Sequence, residues 1–355
     1  MRILLLAVQN RPESVDLPSS ELSSFPGVLR EEPISTQHKL VKDLPTAAQE
    51  IRAYQPDLVV FRGEPGVTLF WQNQLEKAFP RLFSFVSEQA EIFAILAELN
   101  PRLWALRRKR LQDKCAPYRP TEKVDTHSLF QTFETTHRKQ AEEKLHDWLH
   151  LHPRLLPFLN QVESADFERI LYCMALLEEA LRDWKCPASV RALDVGTHAW
   201  NYAPALAVSL REKASLVELT GIELDPWYLH QNCTRGDLAR YYAQICQARF
   251  LEGDFLQFRE RQDLICHFLP LILPQNALLW RIPLQYHHPV QWLKHTWDRL
   301  RPGGRAVFYI GKEVEYKAFL QTVKNAGLEL SYSAPWFCPW RQKEQGFLNL
   351  LGRAK

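Results

Sequence analysis

Four short stretches of this chain put polar side chains where apolar runs stop: LDVGT at 193–197, GIELDP at 221–226, EGDF at 252–255 and DLICHF at 263–268. Their residue types suit a nucleoside-like cofactor. A carboxylate can accept from the paired hydroxyls of a ribose, and Glu223 stands about as far beyond Gly196 as such an acid stands beyond its first turn. Gly196 opens a tight turn that lets backbone approach a ligand. Thr197, His198, Ala199 and Trp200 follow, where more glycines would ease that approach. Asp254 and Phe255 close a third run. His267 sits at the exit of a fourth and is the first candidate for a general base. His198 and the pair His287–His288 come next.

These stretches need strands that end side by side. From about Asp166 the chain alternates: an amphipathic helix to Trp184, strand RALDV, a helix from about Asn201, strand LVELTGIEL and a helix from Asp225–Pro226. Strands ARFLEGD and DLICHF follow, then a helix from Pro289 to Leu300, strand RAVFYIG and a helix over 313–326. Strands LELSY and GFLNLLG close the chain without room for a crossover helix, so they pair antiparallel. Alternation of this kind predicts an α/β fold with a doubly wound, seven-stranded, mostly parallel sheet. Ligands of such sheets bind at the carboxyl ends of the strands. Asn201 is placed to cap a helix and Pro204 falls in its first turn, so that helix N-terminus points at an anionic group.

Ahead of this lie two further zones. Residues 1–115 start with strands ILLLAV and PDLVVF, joined through a Pro/Ser-rich loop and a helix near 46–54, which predicts a parallel βαβ unit of unknown role. The Gly63–Gly66 turn after the second strand reads as a plain turn. Residues 116–165 are polar and helical, a connector. His146 and His150 share a helix face there, with no third ligand at a telling spacing, so no metal is expected. The domain from 166 to 355 carries the chemistry.

Composition narrows the class. The 355 residues are 46% hydrophobic and 24% charged with net charge +3, which fits a globular protein and gives no nucleic-acid footprint. The run Arg107–Arg110 reads as a solvated helix face. Seven scattered cysteines argue for a reducing compartment, and no apolar run is long enough to span a membrane. The expectation is a cytoplasmic protein with a small-molecule substrate, no nucleic-acid partner and no membrane.

The second half, about 166–353, resembles the class I S-adenosylmethionine-dependent methyltransferases. LDVGT, GIELDP, EGDF, DLI and RLRPGGRAVF carry the resemblance in the right order, and the final hairpin matches the family's reversed seventh strand. The resemblance implies S-adenosylmethionine as cofactor. It implies Asp194, Gly196 and Thr197 in the loop near its methionine part and Glu223 on both ribose hydroxyls. Asp254 then faces the adenine amino group, and Phe255 packs on the ring. Trp200 and Tyr202 would face the sulfonium, and Trp280–Tyr286 would roof the acceptor. The DPPY-type motif of amino-group DNA methyltransferases is replaced by His267–Pro270. Two other readings keep the fold: a non-catalytic scaffold or ligand sensor, for which the bulky loop argues, and transfer of an aminopropyl or aminocarboxypropyl arm.

Overall fold

The computed structural model describes residues 2–8, 35–41, 44–54, 58–62, 75, 83–86, 101, 104–105, 118, 120, 124, 129, 135–230, 233–280, 282–339 and 345–353. The Gly63–Gly66 turn and the Arg107–Arg110 run lie outside them. The chain separates into two compact units, residues 1–107 with 274–285, and residues 108–273 with 286–355.

In the first unit, strand β1 (Arg2–Val8) lies between β2 (Ser35–Val41) and β3 (Leu58–Arg62), and β4 (Phe83–Val86) follows β3. All pairs are parallel, including Ile3 opposite Leu58 as the βαβ reading requires. Helix α1 (Leu44–Tyr54) buries Ala47 and Ile51, one turn apart. The sequence hid β2, because STQHKLV is the polar pattern of an edge strand rather than a buried apolar run. The short helix Pro274–Leu279 and exposed Trp280 belong to this unit.

The second unit opens with helix α2 (Thr135–Leu151), on which the His146 and His150 rings meet edge to face. A 3₁₀ segment (Pro153–Asn160) and helix α3 (Ser164–Ala180) lead to strand β5 (Ser189–Val195). Helix α4 (Ala203–Arg211), strand β6 (Leu216–Glu223), the two-residue strands β7 (Leu229–His230) and β8 (Cys233–Thr234), helix α5 (Arg235–Ile245) and strand β9 (Arg249–Glu252) follow. Then come β10 (Gln262–Phe268), helix α6 (Pro289–Arg299), β11 (Leu300–Ile310), helix α7 (Glu313–Ala326), β12 (Tyr332–Phe337) and β13 (Gln345–Gly352). The sheet order is β12-β13-β11-β10-β5-β6-β9, and β13 runs against both its neighbours. This is the doubly wound, seven-stranded sheet with one reversed strand that the element order predicts.

Pleating sends alternate residues to opposite faces. Val190, Ala192 and Leu219 meet α3, α4 and α5 on one face, with Phe167, Trp200 and Tyr242 fully buried among them. Leu193, Ile222, Ile265 and Phe308 meet α6 and α7 on the other. Each large apolar side chain so buried contributes roughly 1.5–3 kcal/mol. The stretch from β9 to β10 has only a single 3₁₀ turn, Phe255–Gln257.

Several boundaries differ from the reading: α3 ends at Ala180 rather than Trp184, β11 begins at Leu300 rather than Arg305, and two further shifts have a clear local cause. Helix α5 begins at Arg235, not at Asp225–Pro226, because Thr234 and Asp237 form a reciprocal capping box: the Thr234 hydroxyl accepts from the Asp237 amide at 3.1 Å, and the Asp237 carboxylate accepts from the Thr234 amide at 2.8 Å. Strand β12 covers YSAPWF rather than LELSY; an edge position tolerates Pro335, which has no amide hydrogen to offer.

His152 ties the 3₁₀ segment to α3 and to the end of α4. Its ring stands 2.9 Å from Glu178 and 3.0 Å from Glu212, and the hydrogen bond to Glu178 outweighs burial, so its pKa is raised. A raised folded pKa stabilises fully below the unfolded value near 6.5, and that stability is lost as pH rises through the folded value. His152→Gln should therefore lower the melting temperature at pH 6, with the gap closing by pH 9. A thermal unfolding series over that range checks it, and a gap that widens with pH contradicts it.

Candidate functional site

Strands β5 and β6 end side by side, with Asp194 opposite Gly221 and Val195 opposite Ile222. Their exits bring Asp194, Gly196, Thr197 and Glu223 together, as expected. Gly196 has φ 73 and its amide donates to the Ile222 carbonyl at 2.9 Å. His198 and Trp200 also stand in the left-handed region, at φ 56 and 52. Positive φ at alternate residues 196, 198 and 200 is a backbone that glycines adopt freely, and here two bulky residues adopt it at roughly 1–2 kcal/mol each.

Two contacts hold the turn in that shape. The indole of Trp200 is fully buried, and its Nε1 donates to Asp194 Oδ2 at 2.8 Å. It lies flush on β6: a Cβ at Gly221 would stand 2.8 Å from two indole carbons and 2.9 Å from Thr197 Cγ2. The facing strand thus supplies the glycine that makes room for the loop's tryptophan. The His198 amide donates to Glu223 Oε2 at 2.7 Å, and the Asp225 amide donates to Glu223 Oε1 at 2.9 Å.

The electrostatics are those of acids short of counter-charge. Asp194 has no exposed surface, and burial pushes its carboxyl up to about 8; the Tyr202 hydroxyl and Trp200 indole oppose that shift, and neighbouring Glu223 adds to it. Its Oδ1 has no hydrogen-bond donor, and the buried Thr197 Oγ1 has no partner either. Glu223, 7% exposed, is also raised by burial, against its two amide donors and buried Arg235. Arg235, whose guanidinium lies 4.0 Å over the Tyr228 ring, is a site residue that the reading missed. The TRGD capping box that starts its helix was the available signal.

Other expectations need correction. Trp200 faces the core and Asp194, not an open sulfonium site. Asn201 does not cap α4: its amide donates to Asp166 at 2.6 Å, and the cap position is Tyr202 with no side-chain bond. The start of α4 offers little to an anion, because the amides of Ala203 and Ala205 donate to the carbonyls of Trp200 and Tyr202, and Pro204 has none.

Asp254 stands at the exit of β9, and its Oδ1 accepts from the Leu256 amide at 2.9 Å, capping the 3₁₀ turn. Phe255 turns into the core against His295 and His267, so it is not free to lie on an adenine ring. His267 falls on the same face. It is 1% exposed, stacked at 5.0 Å on Phe308 and edge-on to Trp292, and burial pulls its pKa well below the usual value. Thr296 Oγ1 donates to the Trp292 carbonyl, so it accepts from His267 Nε2–H. His267 is a neutral core histidine, and a substrate at the strand ends does not reach it. His287 is bound to the Ile272 carbonyl at 3.1 Å.

The site therefore offers acceptors: Asp194 Oδ1, Thr197 Oγ1 and the remaining lone pairs of Glu223. These fit the ammonium and hydroxyl groups of a cationic nucleoside.

The sheet order, the single reversed strand and the acid-bearing exits define a class I methyltransferase-like fold. No protein-family model and no curated protein matches the sequence. Among solved structures it is similar to a proposed class I S-adenosylmethionine-dependent methyltransferase of Listeria monocytogenes, at 16% identity and TM-score 0.38, covering 55% of this chain and 61% of that one. An S-adenosylmethionine-dependent methyltransferase of Clostridium acetobutylicum matches at 11% identity and TM-score 0.37, over 59% of this chain and 99% of that one. An rRNA methylase of Streptococcus thermophilus matches at 14% and 0.33, over 51% and 94%. The chain thus spans less than two thirds of the Listeria protein. At such identities and scores the fold rests on this chain's own strand order.

Proposed function

We propose that residues 166–355 bind S-adenosylmethionine at the exits of β5 and β6 and transfer its methyl group to a small-molecule acceptor in the cytoplasm, with residues 1–115 and the connector 116–165 as accessory parts. The observation that carries the reading is the buried Asp194 carboxyl with one oxygen lacking a donor, beside Glu223 and under a turn that keeps three alternate left-handed residues. Asp194 and Thr197 would receive the amino-acid ammonium, Glu223 the ribose hydroxyls, and Asp254 the adenine amino group. The cofactor, when bound, supplies an electrophilic methyl sulfonium, so this chain's task is to bind, align and exclude water.

One set of observations favours a second reading, a non-catalytic domain. The amides of residues 196, 197, 198, 200, 203 and 205 are all engaged within the chain, and Trp200 is part of the core. Melting curves with S-adenosylmethionine and S-adenosylhomocysteine separate the two. A ligand at a hundred times its dissociation constant stabilises by about 2.7 kcal/mol, so the methyltransferase reading expects a clear rise with both compounds. Unchanged curves at millimolar ligand favour the scaffold.

A further inference from the structure

We propose that Asp194 is a proton-exchanging receptor for a cation: it keeps its proton while the site is free and surrenders it when a ligand's ammonium group arrives. The ligand half of this rests on the cofactor reading above. The geometry is a side chain with no exposed surface, its Oδ2 held by the Trp200 indole at 2.8 Å, the Tyr202 hydroxyl close beside the carboxyl, and no donor in hydrogen-bond geometry on Oδ1. The titratable and charged groups that face it come from every neighbouring element: Glu223 from β6, Cys173 from α3, Cys266 from β10 and Tyr202 from the turn. None of these is a cation. The positive charge of Arg235 acts on Glu223.

A carboxylate enclosed by a second acid, two thiols, a phenol and an indole lacks counter-charge, so the neutral acid is the favoured form. The push up to about 8 agrees with that placement. An ammonium bonded to Oδ1 reverses the balance. Its positive charge enters as the proton leaves for solvent, and the site's net charge stays the same. The burial of the acid thus links occupancy to pH near neutrality.

The experiment has two arms. Calorimetry of wild type with S-adenosylmethionine at pH 7, repeated in phosphate and in imidazole buffer, counts protons from the difference in heats; about one proton released per ligand is expected. Zero release with clear binding overturns the proposal while leaving the cofactor reading intact. The second arm needs no ligand. Asp194→Asn keeps an oxygen for the indole but has no proton to lose, so its stability should exceed that of wild type by a margin that grows from pH 5 to pH 8 and then levels off. A margin independent of pH overturns the proton-holding step. Absence of any binding heat overturns the cofactor reading and the release step together, and the second arm still decides whether Asp194 holds its proton.

Discussion

Trp200→Gly should lower the unfolding free energy by roughly 3–5 kcal/mol, the usual loss for emptying a fully buried aromatic site. Glycine at φ 52 returns about 1 kcal/mol of backbone strain, so the net loss is somewhat smaller. Gly221→Ala should also destabilise, by about 1–3 kcal/mol, since its Cβ would stand 2.8 Å from indole carbons packed in a fixed place. The two changes should not add. Once the indole is gone, only Thr197 Cγ2, at 2.9 Å, still crowds a methyl at residue 221, so the double variant should lie below Trp200→Gly alone by less than Gly221→Ala costs in the wild type. Urea unfolding of the four proteins measures the coupling; additive losses would mean that the strand glycine and the loop tryptophan are independent.

Glu223→Ala should weaken S-adenosylmethionine binding by about ten- to a hundredfold, because hydrogen bonds to a charged group contribute roughly 1.5–3 kcal/mol and each 1.4 kcal/mol is a factor of ten. The same change strips the acceptor from the amides of His198 and Asp225, so it loosens the turn as well as the ligand. Glu223→Gln keeps one acceptor oxygen, and that oxygen serves only one of the two amides. Its loss of affinity should therefore be smaller than that of alanine. Equal affinities in all three proteins would show that no ribose is held here.

The sheet was legible because it depends on coarse signals. Apolar runs ended by Asp, Glu or Gly marked β5, β6 and β9, and RLRPGG marked the entry to β11. The acids Asp194 and Glu223 followed directly, since the residues at a strand's end are fixed once the strand is found. What failed was the direction of side chains. His267 looked like a residue at a strand's exit, yet it lies within β10, and pleating sends Cys266 to one core and His267 to the other. Phe255 went the same way because the connection between β9 and β10 is one tight turn. Asn201 has the chemistry of a cap, but its side chain turns instead to a tertiary partner, donating its NH2 to Asp166, and the cap position falls on Tyr202. Trp200 could not be read at all, because its room is made by Gly221, twenty-one residues away in another element. Long-range compensation of that kind leaves no local pattern.

The central claim is that this fold holds S-adenosylmethionine at Asp194 and Glu223, and direct calorimetric titration of the wild-type chain tests it. The account predicts one molecule bound per chain, with affinity falling in Glu223→Ala by at least tenfold under the same buffer. A folded wild-type protein that gives no binding heat with millimolar S-adenosylmethionine would contradict it.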